Sequence, residues 1–114
     1  MSTTLTRNVI LLPLPKIAAP VWERAAFLYS ALDSGWVRVC YRKADGTSAS
    51  RVCTRNRSLM RAMGAHESVI NGIGADEEVN NIVYWDYMAK GTRSFRVSNV
   101  EFCGIDPSPL EHHA

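Results

Sequence analysis

Asp45-Gly46 stands between two alternating segments, Trp36 to Lys43 and Thr47 to Thr54, and this arrangement constrains the chain more than any other feature in it. A type I′ turn needs positive φ at both central positions, and Asp-Gly is one of the pairs that supplies it most readily. A hairpin is therefore expected here. With a two-residue loop, Ala44 pairs with Thr47; Val37, Val39 and Tyr41 then share a face with Val52, and Arg38, Cys40 and Arg42 share the other with Arg51 and Cys53. A three-residue loop would set Arg51 among the valines, and the cost of burying its charge disfavours that register.

A second hairpin is expected from Asn81 to Met88 and Thr92 to Val100, around Ala89-Lys90-Gly91. Gly91 suits the left-handed position of a three-residue loop, which pairs Met88 with Thr92. Val83, Trp85, Phe95 and Val97 then fall on one face and Asp86, Ser94 and Arg96 on the other; a two-residue loop would bury Asp86. A short strand from Val100 to Cys103 follows.

Upstream, Pro20 at a first helical position and Gly35 as a left-handed stop bracket a helix from about Pro20 to Asp33. Its apolar face is Val21, Ala25, Leu28 and Leu32, flanked by Trp22 and Tyr29. Ser58 is placed to cap a short helical turn that ends at Gly64, and Ala65 to Asn80, with its glycines and acidic run, reads as a long surface loop. A chain of 114 residues, 46% hydrophobic and 21% charged, buries one core. The expected fold class is mainly β: a small, strongly bent barrel of about five strands over residues 35–105, an N-terminal arm and helix over 1–34 packed on it, a long irregular loop, and a flexible tail over 106–114.

Several short motifs occur in a telling order. Arg42-Lys43-Ala44-Asp45-Gly46-Thr47 and Cys53-Thr54-Arg55-Asn56 precede Tyr84-Trp85-Asp86, Lys90-Gly91 and Arg93-Ser94-Phe95-Arg96-Val97. From about Gly35 to Ile105 the sequence thereby resembles the Sm-like SH3 β-barrel family of tailed phages and bacteria, which is grouped with the WYL domains. The resemblance implies an SH3-like or Sm-like barrel, often phage-encoded; among its relatives, WYL modules sense regulatory ligands and Sm barrels bind RNA. The middle region departs from the pattern, lacking a proline after Thr54-Arg55-Asn56 and carrying Asp76-Glu77-Glu78.

Charge is segregated along the chain although the net is only +2. Ser34 to Met63 holds Arg38, Arg42, Lys43, Arg51, Arg55, Arg57 and Arg61 against Asp45 alone, whereas Gly64 to Asp86 holds only acids, Glu67, Asp76, Glu77, Glu78 and Asp86. Such polarity suits an oriented, oppositely charged partner, or else lets one half of the domain complement the other. No nucleophile stands beside a base, Asp76-Glu77-Glu78 reads as solvated surface, and His112-His113 is a terminal pair, so neither catalysis nor a cofactor or metal is expected. Cys40, Cys53 and Cys103 are odd in number with no C-x-x-C spacing, which points to a reducing, cytoplasmic setting. The apolar run Asn8 to Pro15 is broken by prolines and too short to cross a bilayer, and no membrane partner is expected.

The expected function is a non-enzymatic binding module. Arg38, Arg42 and Arg51 on one sheet face, Arg55 and Arg57 beyond the strand end, and Arg96 on the second hairpin are the candidate phosphate contacts for RNA or DNA, with an exposed Trp36 or Tyr87 to stack a base. The structural alternative pairs Arg96 with Asp86 and Arg51 with a loop acid, and puts the aromatics in the core. The functional alternative is a protein-interaction module that docks on a host or phage protein. Oligomeric state is left open by the sequence.

Overall fold

The computed structural model describes residues 9–75 and 77–112; the start of the N-terminal arm, Asp76 of the acidic run and His113 of the histidine pair lie outside them. In chain order the elements are β1 (Ile10–Leu11), α1 (Val21–Ser34), β2 (Val37–Arg42), β3 (Ser48–Thr54), α2 (Arg57–Ala62), α3 (Glu67–Ala75), β4 (Asn81–Asp86), β5 (Gly91–Arg96), a 3-10 turn (Val97–Asn99), β6 (Val100–Ile105) and α4 (Ser108–His112). The strands form one antiparallel sheet in the order β1-β6-β2-β3-β4-β5. The expected five strands are six, because Ile10–Leu11 of the arm adds to the sheet edge against Ile105 and Gly104.

No ladder among the described residues joins β1 to β5, so the sheet curls without closing. The curl is strong: Tyr41 of β2 and Phe95 of β5 stand 5.6 Å apart between ring centroids although β3 and β4 lie between their strands. Ala25, Leu28 and Leu32 of α1 pack against Val37, Val39, Cys53, Ile82, Tyr84 and Phe95 to form the main core. A second core, including Trp36, Val52, Met60, Ile70, Ile73 and Trp85, lies beneath α2 and α3. Alternation along β3 feeds both, Cys53 into the first and Val52 into the second. No helix among the described residues is long and apolar enough to cross a membrane.

Helix α1 follows Pro20 as expected, and Ala25, Leu28 and Leu32 are its buried apolar residues. Gly35, however, has φ of 170°, an extended conformation, so the chain passes straight into β2 without a left-handed stop. The same helix buries Arg24, whose guanidinium donates to the carbonyls of Pro15 at 3.1 Å, Val97 at 2.7 Å and Val100 at 2.6 Å. These three carbonyls tie the arm and the entry to β6 onto the helix.

Both hairpins form, each with a loop one residue longer than expected. In the first, the Lys43 N–H donates to the Thr47 carbonyl at 2.7 Å and Gly46 takes the left-handed position at φ +88°. Ala44-Asp45-Gly46 is thus a three-residue loop, and Val39 faces Arg51 while Arg38 faces Val52. The disfavoured register is the one adopted, because Arg51 keeps about a third of its side chain exposed and has Asp86 as a counter-charge at 3.7 Å. In the second hairpin Asp86 pairs with Gly91 around Tyr87 to Lys90, and Lys90, at φ +54°, is the left-handed residue. Ile82 and Tyr84 therefore share the core face with Phe95.

Two further expectations change. Residues 65–80 are not an irregular loop throughout: Glu67–Ala75 is helical and buries Ile70 and Ile73. Asn56, not Ser58, caps α2, its side-chain oxygen accepting from the Leu59 N–H at 3.0 Å, while Gly64 ends that region at φ +88°. Where a flexible tail was expected, Asp106 is fully buried and Ser108–His112 is helical.

Candidate functional site

Strands β3 and β4 pair only at Cys53 with Asp86 and Thr54 with Trp85; the Tyr87 N–H then donates to the Val52 carbonyl at 2.9 Å, and the named pairing stops. Beyond it β3 continues toward Ser50, while the segment after β4 turns away through Tyr87 to Lys90. The gap is a groove of about 430 Å³ whose lining includes Arg38, Ser50, Arg51, Asp86, Met88 and Arg93.

Asp86 organises one wall. Its backbone carbonyl accepts the Lys90 N–H at 2.8 Å and its Oδ1 accepts the Ala89 N–H at 2.9 Å, which fixes the turn. Its Oδ2 is buried with no hydrogen-bond partner; the Nε atoms of Arg93 and Arg51 stand 3.6 and 3.7 Å away, outside hydrogen-bond range. On the other wall, Arg38 donates from Nε to Asp106 Oδ2 at 3.0 Å and from Nη1 to the Ser50 hydroxyl at 2.9 Å. Asp106 Oδ1 also receives the Ser108 N–H at 3.0 Å and hydroxyl at 2.6 Å. Burial pushes the Asp106 carboxyl up, but the bonds from Ser108 and the charge of Arg38 outweigh it and hold the group below the usual aspartate range. Three guanidinium groups from three strands thus face two carboxylates, both fully buried, and the surface of the groove is cationic.

The residues singled out in the sequence distribute unevenly around this groove. Arg38 and Arg51 line it, but not from one sheet face as expected: Arg51 shares the face of Val39 and Arg38 the opposite face of Val52. Arg42 lies on an exposed part of β2, bound to Glu101 and to the Gly46 carbonyl, both at 2.7 Å. Arg55 is buried, donating to the carbonyls of Val83 and Ile73 and stacking 4.7 Å above the Tyr29 ring, so it braces α1 against α3 and β4. Arg57 is exposed on α2 and donates to Asn71 at 3.1 Å. Arg55 and Arg57 do share a second cleft, of about 390 Å³, but Asp33 and Glu77 line it too and balance them. Arg96 is exposed on β5, and the partners of Asp86 are Arg51 and Arg93 in its place. Trp36 is a correction: it is buried in the second core, edge-on to Tyr87 at 5.3 Å, and no base can stack on it.

Arg93 was not singled out because the assumed register faced it away from Asp86. An Asp at the start of a loop, poised to accept from the backbone a few residues on, was the available sign that Asp86 begins a four-residue turn and pairs with Gly91.

The family model described as WYL_2, Sm-like SH3 beta-barrel fold, matches residues 25–100, well over half of the chain. The chain belongs to the WYL_2 family. Its WYL_2 region begins within α1, so the helix that the motif resemblance left out is mostly part of the family domain, whereas β1 and α4 lie beyond it. Arg38, Ser50, Arg51, Asp86 and Arg93 all fall inside the WYL_2 region, and Asp106 just outside. No curated protein and no solved structure matches the chain.

Proposed function

We propose that this WYL_2 chain is a non-enzymatic module that grips the phosphate backbone of a nucleic acid in the groove between β3 and the β4–β5 turn. One observation carries the reading: Arg38, Arg51 and Arg93, from β2, β3 and β5, converge on a single groove whose two carboxylates are buried. Arginine suits this work, since its planar fork bonds two phosphate oxygens at once. Arg51 and Arg93 make no hydrogen bond to Asp86, so a phosphate oxygen replaces only a loose charge contact. Arg38 is the anchored member, held by Asp106 and Ser50. Three buried, unpaired cysteines favour a reducing compartment, the host cytoplasm for a phage-encoded chain.

Titration of the isotope-labelled protein with a short single-stranded oligonucleotide tests the reading by NMR. Amide shifts are expected to move at Ser50 to Val52 and at Asp86 to Arg93; shifts centred on α1 and α4 would reject the groove as the interface. That second pattern would favour a protein-docking module, for which an apolar groove including Leu12, Phe27, Ala31, Ile105 and Leu110 speaks. A partner that survives nuclease treatment in a pulldown, and is lost on Leu110→Glu, would carry the docking reading.

A further inference from the structure

The groove holds one feature that phosphate binding alone does not use. Asp86 Oδ2 is a buried acceptor without a donor, while Oδ1 is already occupied by the Ala89 N–H. The turn fixes the carboxylate in place, since the Asp86 carbonyl also receives the Lys90 N–H at 2.8 Å. The two guanidinium groups beside Oδ2 are not held by it: their Nε atoms stand 3.7 and 3.6 Å away, and the Arg51 side chain is about a third exposed and that of Arg93 about half. When these two guanidinium groups turn to a phosphate, Oδ2 is left facing the groove and requires a hydrogen-bond donor.

A nucleotide brings that donor together with the phosphate, provided its base carries an amino group. Cytosine offers its N4 amino group, the usual partner of an acidic side chain, and adenine and guanine offer amino groups as well. Uracil and thymine have none; their one ring N–H lies between two carbonyl oxygens that would confront the carboxylate. Met88, 78% exposed and lining the same groove, supplies an apolar surface for the plane of the base. We propose, resting on the nucleic-acid reading above, that Asp86 is the specificity residue of this groove and selects amino-bearing bases over uracil and thymine in single strands, where those edges are free.

The cleanest comparison is between cytosine and uracil tracts of equal length, followed by anisotropy of the labelled RNA. One charge-assisted hydrogen bond gained, and one oxygen–oxygen conflict avoided, predict about tenfold tighter binding of the cytosine tract by the unaltered protein. Asp86→Asn keeps an oxygen for the Ala89 N–H and turns the free position into a donor, so it is expected to abolish or invert the preference while the uracil tract still binds. Equal, salt-sensitive binding of both tracts by the unaltered protein would overturn the base selection and leave the backbone grip standing. Failure of both tracts to bind at low salt would overturn the base selection and the backbone grip together. The wild-type comparison decides the matter even if the Asp86 variant does not fold.

Discussion

Arg38 and Asp106 are 68 residues apart in the chain, yet the Arg38 Nε lies 3.0 Å from Asp106 Oδ2, and the carboxylate is fully buried. This bond fastens the segment after β6 to β2 and sets one wall of the cationic groove. The Asp106 carboxyl titrates below its ordinary value of 3.8 in the folded chain. Its contribution to stability is therefore complete above the unfolded value and is lost as the pH falls through the lower folded one. In urea unfolding followed from pH 6 down to pH 2, Asp106→Asn is expected to be less stable at pH 6 and to lose less on acidification. A profile parallel to that of the unaltered protein would show that Asp106 is not the group responsible.

Arg24 is the second buried charge with a structural duty. It has no acid among its hydrogen-bond partners and instead satisfies the carbonyls of Pro15, Val97 and Val100. Burial draws its guanidinium below the usual range, with Cys103 opposing. Arg24→Met fills similar space but leaves those carbonyls without a donor, and about 3 kcal/mol of stability is expected to go, at 1–3 kcal/mol for an unsatisfied buried group. Denaturant midpoints read this directly; a loss below about 0.5 kcal/mol, the size of an ordinary surface change, would contradict it.

Gly104 is required by close approach. A Cβ there would lie 2.7 Å from Val9 Cγ1 and 2.9 Å from the Ile10 carbonyl oxygen. Gly104→Ala should therefore push β1 off β6 at a cost of about 1–3 kcal/mol, and hydrogen exchange at the Leu12 amide, which donates to the Cys103 carbonyl at 3.0 Å, should accelerate. Unchanged protection at Leu12 would mean that the arm adjusts without releasing the strand.

The cysteines should be chemically silent in the folded state. Burial pushes the Cys103 thiol up to about 11 and that of Cys53 well above its usual range, and Cys40 is raised for the same reason. A thiol-reactive dye at pH 8 is expected to label none of the three in native buffer and all three in denaturant. Rapid labelling of the native chain would show an opening that the packing does not suggest.

Local chemistry made α1 and the two hairpins legible as elements, and long-range chemistry hid the registers. Pro20, the helical spacing of Ala25, Leu28 and Leu32, and Gly46 and Gly91 locate α1 and both hairpins from neighbouring residues alone. Whether Arg51 tolerates a place opposite Val39 depends on Asp86, which comes from another hairpin. Whether Asp86 tolerates burial depends in turn on Arg51, Arg93 and its own turn. The longer loops turn Arg51 to the face opposite Arg38 and bring Arg93 to the face of Asp86, which is why Arg93 was not recognised. Helix α3 was hidden by Gly72 and Gly74, whose low helical propensity is offset by the burial of Ile70 and Ile73. Trp36 gave no local sign of its contact with Tyr87.

The decisive measurement is the salt dependence of single-stranded RNA, single-stranded DNA and duplex DNA binding, by anisotropy, for the unaltered protein and for Arg93→Gln. Arg93 is half exposed and Arg51 remains to face Asp86, so the variant should stay folded. Binding that weakens steeply with salt, together with a log–log slope reduced by about one in Arg93→Gln, is the outcome expected of a phosphate-gripping groove. No binding of any nucleic acid at low salt, or an Arg93→Gln slope identical to that of the unaltered protein, would contradict it.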